Sequence, residues 1–150
     1  MNTSPFPTNS QGTVFPGPVF VDDSWRERTG KGVSIAIIDS GIDTEHPDLA
    51  GKVRESVEAV DDNRRVLFAP SESGDSAGHG TACAGIISSI ATEADLYSIR
   101  VLGAQASGDG YAFMAGLEYA IKRKFQIINL SLGTTKPQFF SPLHDLLDRA

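Results

Sequence analysis

From Val33 to Asp39 the chain reads Val-Ser-Ile-Ala-Ile-Ile-Asp, a short and almost unbroken apolar run stopped by Ser40-Gly41. A run of that length with that stop predicts a strand buried on both faces. A second strand is predicted over Asp95 to Leu102, and a third buried strand over Gln126 to Leu132, ending at Gly133. Between them the period changes. From Gly80-Thr81 onward, Ala82, Ile86 and Ile90 recur every four residues, with Cys83, Ile87 and Ala91 on the adjoining stripe, which predicts a buried helix starting beside His79. Phe113, Leu117 and Ile121 mark a second amphipathic helix after the loop Gly103 to Gly110, and Ser141-Pro142 opens a last helix carrying Leu143, Leu146 and Leu147. The stretch from Thr44 to Ala77 is mostly polar and broken by Pro47, Pro70 and Gly74. It predicts irregular, surface-lying chain with one short strand near Val57 to Val60.

Strands alternating with helices at this spacing imply right-handed crossovers. The expected fold is α/β: three layers, a mostly parallel sheet with helices on both faces. In such sheets the ligand crevice lies at the carboxyl ends of the strands. Asp39, the loop after Leu102 and the segment after Leu130 all fall there. Residues 1–25 carry Pro5, Pro7, Pro16 and Pro18 among small polar residues and read as an extended arm, with the folded domain over 26–150.

Composition narrows the partners. A chain of 150 residues with 40% hydrophobic and 21% charged positions has the make-up of one globular domain. Its net charge of -6 speaks against nucleic acid, which needs clustered cations. The one basic cluster, Lys122-Arg123-Lys124, falls at a helix end, where cations complement the dipole. No apolar run is long enough to cross a bilayer, so no membrane partner is expected. A single cysteine, Cys83, excludes an internal disulfide, and no basic start followed by an apolar stretch opens the chain. A cytoplasmic location is the expectation.

Taken alone, Asp39 is a carboxylate capping a turn and His79 a helix-start residue with local hydrogen bonds. Three segments change that reading: Ile37-Ile38-Asp39-Ser40-Gly41-Ile42-Asp43, Gly78-His79-Gly80-Thr81-Ala82-Cys83-Ala84-Gly85, and Ile128-Asn129-Leu130-Ser131-Leu132-Gly133. In order and spacing they resemble the subtilase family of serine peptidases, from about residue 30 to the end of the sequence. A hydroxyl nucleophile needs an imidazole to take its proton and a carboxylate to hold that imidazole. The resemblance implies that Asp39 and His79 are the catalytic acid and base, with Gly78 and Gly80 leaving room around the ring. It also implies that Ser131, Leu132 and Gly133 contact a polypeptide substrate laid alongside as an added strand. The loop Gly103 to Gly110 is either the opposite wall of that cleft or a flexible connection rich in left-handed residues.

Other chemistry is weaker. Cys83 lies one turn from His79 at a helix start, where a thiol can be activated, but its apolar stripe reads as packing. His46 reads as a turn-packing histidine. Asp48 matches a calcium-binding position of many subtilases, yet the loop that would supply the other oxygens is deleted between Ile90 and Asp95, so no metal and no cofactor is expected. No G-x-G-x-x-G or P-loop pattern supports a nucleotide-binding reading.

The family pattern continues into an oxyanion-hole asparagine and a Gly-Thr-Ser segment bearing the nucleophile, and neither occurs here, so the subtilisin-like fold is expected to be incomplete at its C-terminal side. Removing that serine from subtilisin itself costs about 10⁶ in turnover, so these residues alone are expected to be inactive. A gene model cut short, a deliberately short fragment, or a non-catalytic remnant that binds extended peptides along Ser131 to Gly133 would each account for this. The Ile127 to Leu132 strand would then expose an apolar edge, and self-association or a partner is expected there.

Overall fold

The apolar run before Asp39 has two faces to bury, and each receives its own helical layer. The computed structural model describes residues 27–62 and 65–150, so the arm expected over residues 1–25 lies outside the described residues. The elements are β1 (Ser34–Asp39), β2 (Val53–Asp62), β3 (Arg65–Pro70), α1 (His79–Ile90), β4 (Asp95–Arg100), α2 (Gly110–Arg123), β5 (Ile127–Asn129), a 3-10 turn (Pro137–Phe139) and α3 (Phe140–Arg149). Side chains alternate across a strand. Ile35 and Ile37 of β1 therefore join Leu49, Leu96 and Ala84 beneath α1. Ala36 and Ile38 join Ile99, Leu117, Ala120 and Leu146 beneath α2 and α3. Burying each such Ile or Leu side chain contributes about 1.5–3 kcal/mol before chain entropy is set against it.

The sheet runs β3-β2-β4-β1-β5, with β1/β4, β1/β5 and β2/β4 parallel and only β2/β3 antiparallel. This is the α/β, three-layer, mostly parallel arrangement the sequence predicts. Asp39 pairs in register with Arg100, and Ile37 with Ser98 and Asn129. The ends of β1, β4 and β5 thus reach one edge of the sheet together.

Four sequence expectations need correction. The polar stretch after Thr44 holds a regular hairpin, with β2 ten residues long and paired to β3. The charges of β2 are matched by neighbouring elements: Arg54 bonds Asp95 at 2.6 Å, Glu58 bonds Arg100 at 2.9 Å, and Glu55 bonds Arg123 of the basic cluster at 2.6 Å. A strand whose charges are paired with distant residues lacks the apolar alternation that marks a strand in sequence. The predicted strand over Gln126 to Leu132 shortens to three residues, because among the described residues β5 pairs with β1 alone and Ile127 stays 49% exposed.

Helix α1, third, buries the line Gly80, Ala84 and Ser88, with Cys83, Ile87 and Ala91 partly covered beside it. Ile86 and Ile90 face outward, 65% and 62% exposed. The four-residue apolar spacing was real, but one stripe finds nothing to pack on among the described residues. α3 begins at Phe140, one residue before the expected cap, because the 3-10 turn feeds directly into it.

Replacing Ile86 or Ile90 by Ala is therefore expected to change stability by no more than about 0.5 kcal/mol. Leu117→Ala, at a fully buried position, is expected to cost about 2–5 kcal/mol. Urea denaturation of the three variants checks this.

Candidate active site

Strand β1 ends on Asp39, and α1 begins on His79. What joins them is a backbone crossing. A Cβ added to Gly80 would lie 2.1 Å from the Gly41 carbonyl oxygen, and one added to Gly41 would lie 2.2 Å from the carbonyl oxygen of Gly74. Only hydrogen fits at either position, so two glycines let the turn after β1 press against the chain entering α1. Gly78 serves differently from the expectation of steric room: nothing lies near its missing Cβ, but its φ of 78° favours glycine.

The crossing brings the Asp39 carboxylate to the ring of His79, with Nδ1 2.8 Å from Oδ1 and 3.0 Å from Oδ2. A carboxylate only accepts, so Nδ1 carries the proton and donates it. The Asp39 side chain is 1% exposed and the His79 side chain 46% exposed. A buried carboxylate is tolerated when its lone pairs are satisfied, and here the Ser40 amide adds a second donor at 2.7 Å. No side chain among the described residues bonds to Nε2 of His79, and the ring forms part of the wall of an open cleft of about 480 Å³.

The rest of that wall comes from loop residues 106–110, Phe113 and the extended segment 131–136. Ser131, Leu132 and Gly133 therefore share one cleft with His79, and they lie beyond the β5 ladder. The Ser131 hydroxyl accepts from Asn129 Nδ2 at 3.0 Å, and nothing crowds Gly133. Of the two readings of the loop after β4, the wall is what its position supports. Among its residues only Ala106 has positive φ, and Gly103 and Ser107 close a backbone bond at 2.9 Å.

Cys83 packs partly against the β1 and β4 core, with Sγ 4.0 Å from His79 Nδ1. The Asp39, His79 and Cys83 ligand-type atoms all lie within 4.8 Å of one another, a cluster the sequence reasoning about metals did not consider. Nδ1 already serves Asp39 there, so a cation would have to displace its proton. His46 lies apart, accepting the Asp48 amide at 3.3 Å within its own turn. The Asp48 side chain is 81% exposed.

Sequence reasoning missed Asp75, Ser40 and Thr81. Asp75 Oδ1 accepts from the Ser40 hydroxyl at 2.7 Å and from the amides of Ala77 and Gly78; Oδ2 accepts from the Thr81 amide and hydroxyl at 2.8 and 2.6 Å. Burial works to raise the Asp75 pKa, but bonds from Thr81, Ser40 and Ala77 outweigh it and bring it to about 2. The only sequence signal was an acid four residues before His79 in a Ser-rich loop.

A carboxylate-held imidazole at the carboxyl edge of a parallel sheet, beside an open cleft, is an arrangement able to take up and return a proton. Residues 30–149 match the Subtilase family. The chain is 36% identical over 135 residues to an intracellular serine protease of Paenibacillus polymyxa, covering 84% of this chain and 40% of that protein. It is 35% identical over 130 residues to thermitase of Thermoactinomyces vulgaris, covering 80% and 44%. A crystal structure of a cold adapted subtilisin-like serine proteinase shares the fold, with a TM-score of 0.62 at 24% identity, covering 82% of this chain and 45% of that one. The chain belongs to the subtilase family. It spans under half the length of these relatives.

Two outcomes test the site's construction. Gly80→Ala should cost about 1–3 kcal/mol by forcing backbone apart, whereas Gly85→Ala, in the same helix with nothing near its Cβ, should be neutral or stabilising by up to about 1 kcal/mol. Denaturation curves separate them. Because Asp75 titrates near 2 when folded against an ordinary value of 3.8, its stabilisation is full above about pH 4 and is lost as pH falls through about 2. The stability gap between wild type and Asp75→Asn, measured by denaturation at stepped pH, should close over that window.

Proposed function

We propose that this chain supplies the acid–base half of a serine endopeptidase that cleaves polypeptides. The observation that carries the reading is the Nδ1 contact of His79 with buried Asp39, at 2.8 Å, with no partner for the opposite ring nitrogen among the described residues and the ring beside the cleft. Asp39 holds the tautomer and stabilises the imidazolium. His79 takes the proton of a hydroxyl nucleophile through Nε2, then returns it to the leaving amine. An extended peptide lies between the loop after β4 and Ser131 to Gly133, pairing with exposed backbone of the latter as an added strand.

The nucleophile and the oxyanion donors come from sequence outside these residues. On this reading the 150-residue chain does not turn over peptides by itself. The similarity to a protein named as an intracellular serine protease supports the reaction class.

The test is peptide hydrolysis by the polypeptide encoded with the sequence following Ala150, and by the chain alone. The longer protein should hydrolyse peptides and be blocked by a serine-directed inhibitor. His79→Ala should lower its turnover about 10⁶-fold and Asp39→Asn about 10⁴-fold, magnitudes measured on subtilisin and on a convergent serine protease. The chain alone should show none. Peptide binding without turnover by the longer protein would favour a non-catalytic remnant, and turnover by the chain alone that a thiol reagent abolishes would make Cys83 the nucleophile.

A further inference from the structure

The polar groups around the start of α1 converge on one side chain that neither touches the cleft nor belongs to the acid–imidazole couple. Asp75 accepts five hydrogen bonds: one from the Ser40 hydroxyl, three from the amides of Ala77, Gly78 and Thr81, and one from the Thr81 hydroxyl. Gly78, the residue that caps α1, offers no side chain to its amides. Asp75 takes that task from three residues upstream and places a negative charge at the helix start, where the dipole favours it.

Both hydroxyls on Asp75 pass the connection on. Ser40 Oγ, while donating to Asp75, accepts the Gly80 amide at 3.1 Å. Thr81 Oγ1, while donating to Asp75, accepts the Asp43 amide at 2.9 Å. Ser40 also gives its own amide to Asp39. The two direct links between the turn 40–43 and the first turn of α1, Gly80 to Ser40 and Asp43 to Thr81, are thus made by hydroxyls whose protons are both held by Asp75. The carboxyl of Asp39 and the ring of His79 hang from the two strands of chain so joined.

We infer that Asp75 is a positioning residue for the Asp39–His79 couple, fixing the His79 ring against the buried carboxylate through Ser40 and Thr81. The inference rests on the proposed role of that couple but is read without turnover. An Asn at this position keeps the shape yet turns one acceptor oxygen into a donor. Facing the amides of Ala77 and Gly78 with the oxygen leaves an NH₂ against the Thr81 amide, and the flipped orientation fails at the other end. The register between the turn and the helix start is then lost while the sheet and α2 are untouched.

The experiment is proton NMR of the chain, following the low-field resonance of the His79 Nδ1 proton, assigned by its loss in Asp39→Asn. In Asp75→Asn the resonance should broaden beyond detection or move upfield, with the amide spectrum of α2 and α3 unchanged. Ser40→Ala, which cuts one link only, should weaken it less, and decides the matter if Asp75→Asn does not fold. Leu146→Ala, which destabilises the core away from the site, should leave it in place. A resonance unmoved in folded Asp75→Asn, or in Ser40→Ala where that is the deciding variant, overturns the positioning role and leaves the couple intact. Absence of the resonance in the wild-type chain overturns the couple and the positioning role together.

Discussion

The tightest constraint in the molecule is a contact between two stretches of backbone. Where the turn after β1 crosses the chain entering α1, the Gly41 carbonyl comes so near Gly80 that no side chain fits between. A sheet alone would leave a carboxylate at a strand end and a histidine at a helix start some distance apart, each with local bonds. The crossing removes that distance. It makes Asp39 a buried acceptor whose donors are the His79 ring and the Ser40 amide. Low local dielectric strengthens both bonds and makes either costly to leave unmade.

Much of this was legible in residue order. An almost unbroken apolar run announced β1, because a strand buried on both faces turns apolar side chains in both directions. The glycine-flanked His79 and strand-ending Asp39 carried the family resemblance, and the structure places the two side chains in contact. What stayed hidden has physical reasons. The hairpin β2/β3 satisfies its charges with Asp95, Arg100 and Arg123, partners 30 or more residues away, so its sequence looks like loop. The outward stripe of α1 has the same spacing as a buried one, since periodicity reports amphipathic geometry and not what lies opposite. Asp75 escaped notice because its value lies in where five donors point, and no spacing rule encodes that.

The described sheet ends on a three-residue strand with Ile127 half exposed, and Ile86 and Ile90 stand uncovered on α1. These are the positions at which the fold is incomplete as described. The core beneath α2 and α3 is closed, by contrast, with Leu117 and Ala120 fully buried. The acid–imidazole couple joins the end of β1 to the start of α1, and its contact is made while Ile86 and Ile90 of the same helix stand uncovered among the described residues.

The central claim is a statement about one proton. Held by Asp39, neutral His79 must carry its hydrogen on Nδ1 and keep Nε2 as a bare acceptor beside the cleft. Nitrogen-15 chemical shifts of the ring, followed upward in pH until they no longer change, distinguish the two tautomers directly. The account predicts a protonated Nδ1 and an unprotonated Nε2; a proton on Nε2, or a rapid average of both forms, would contradict it.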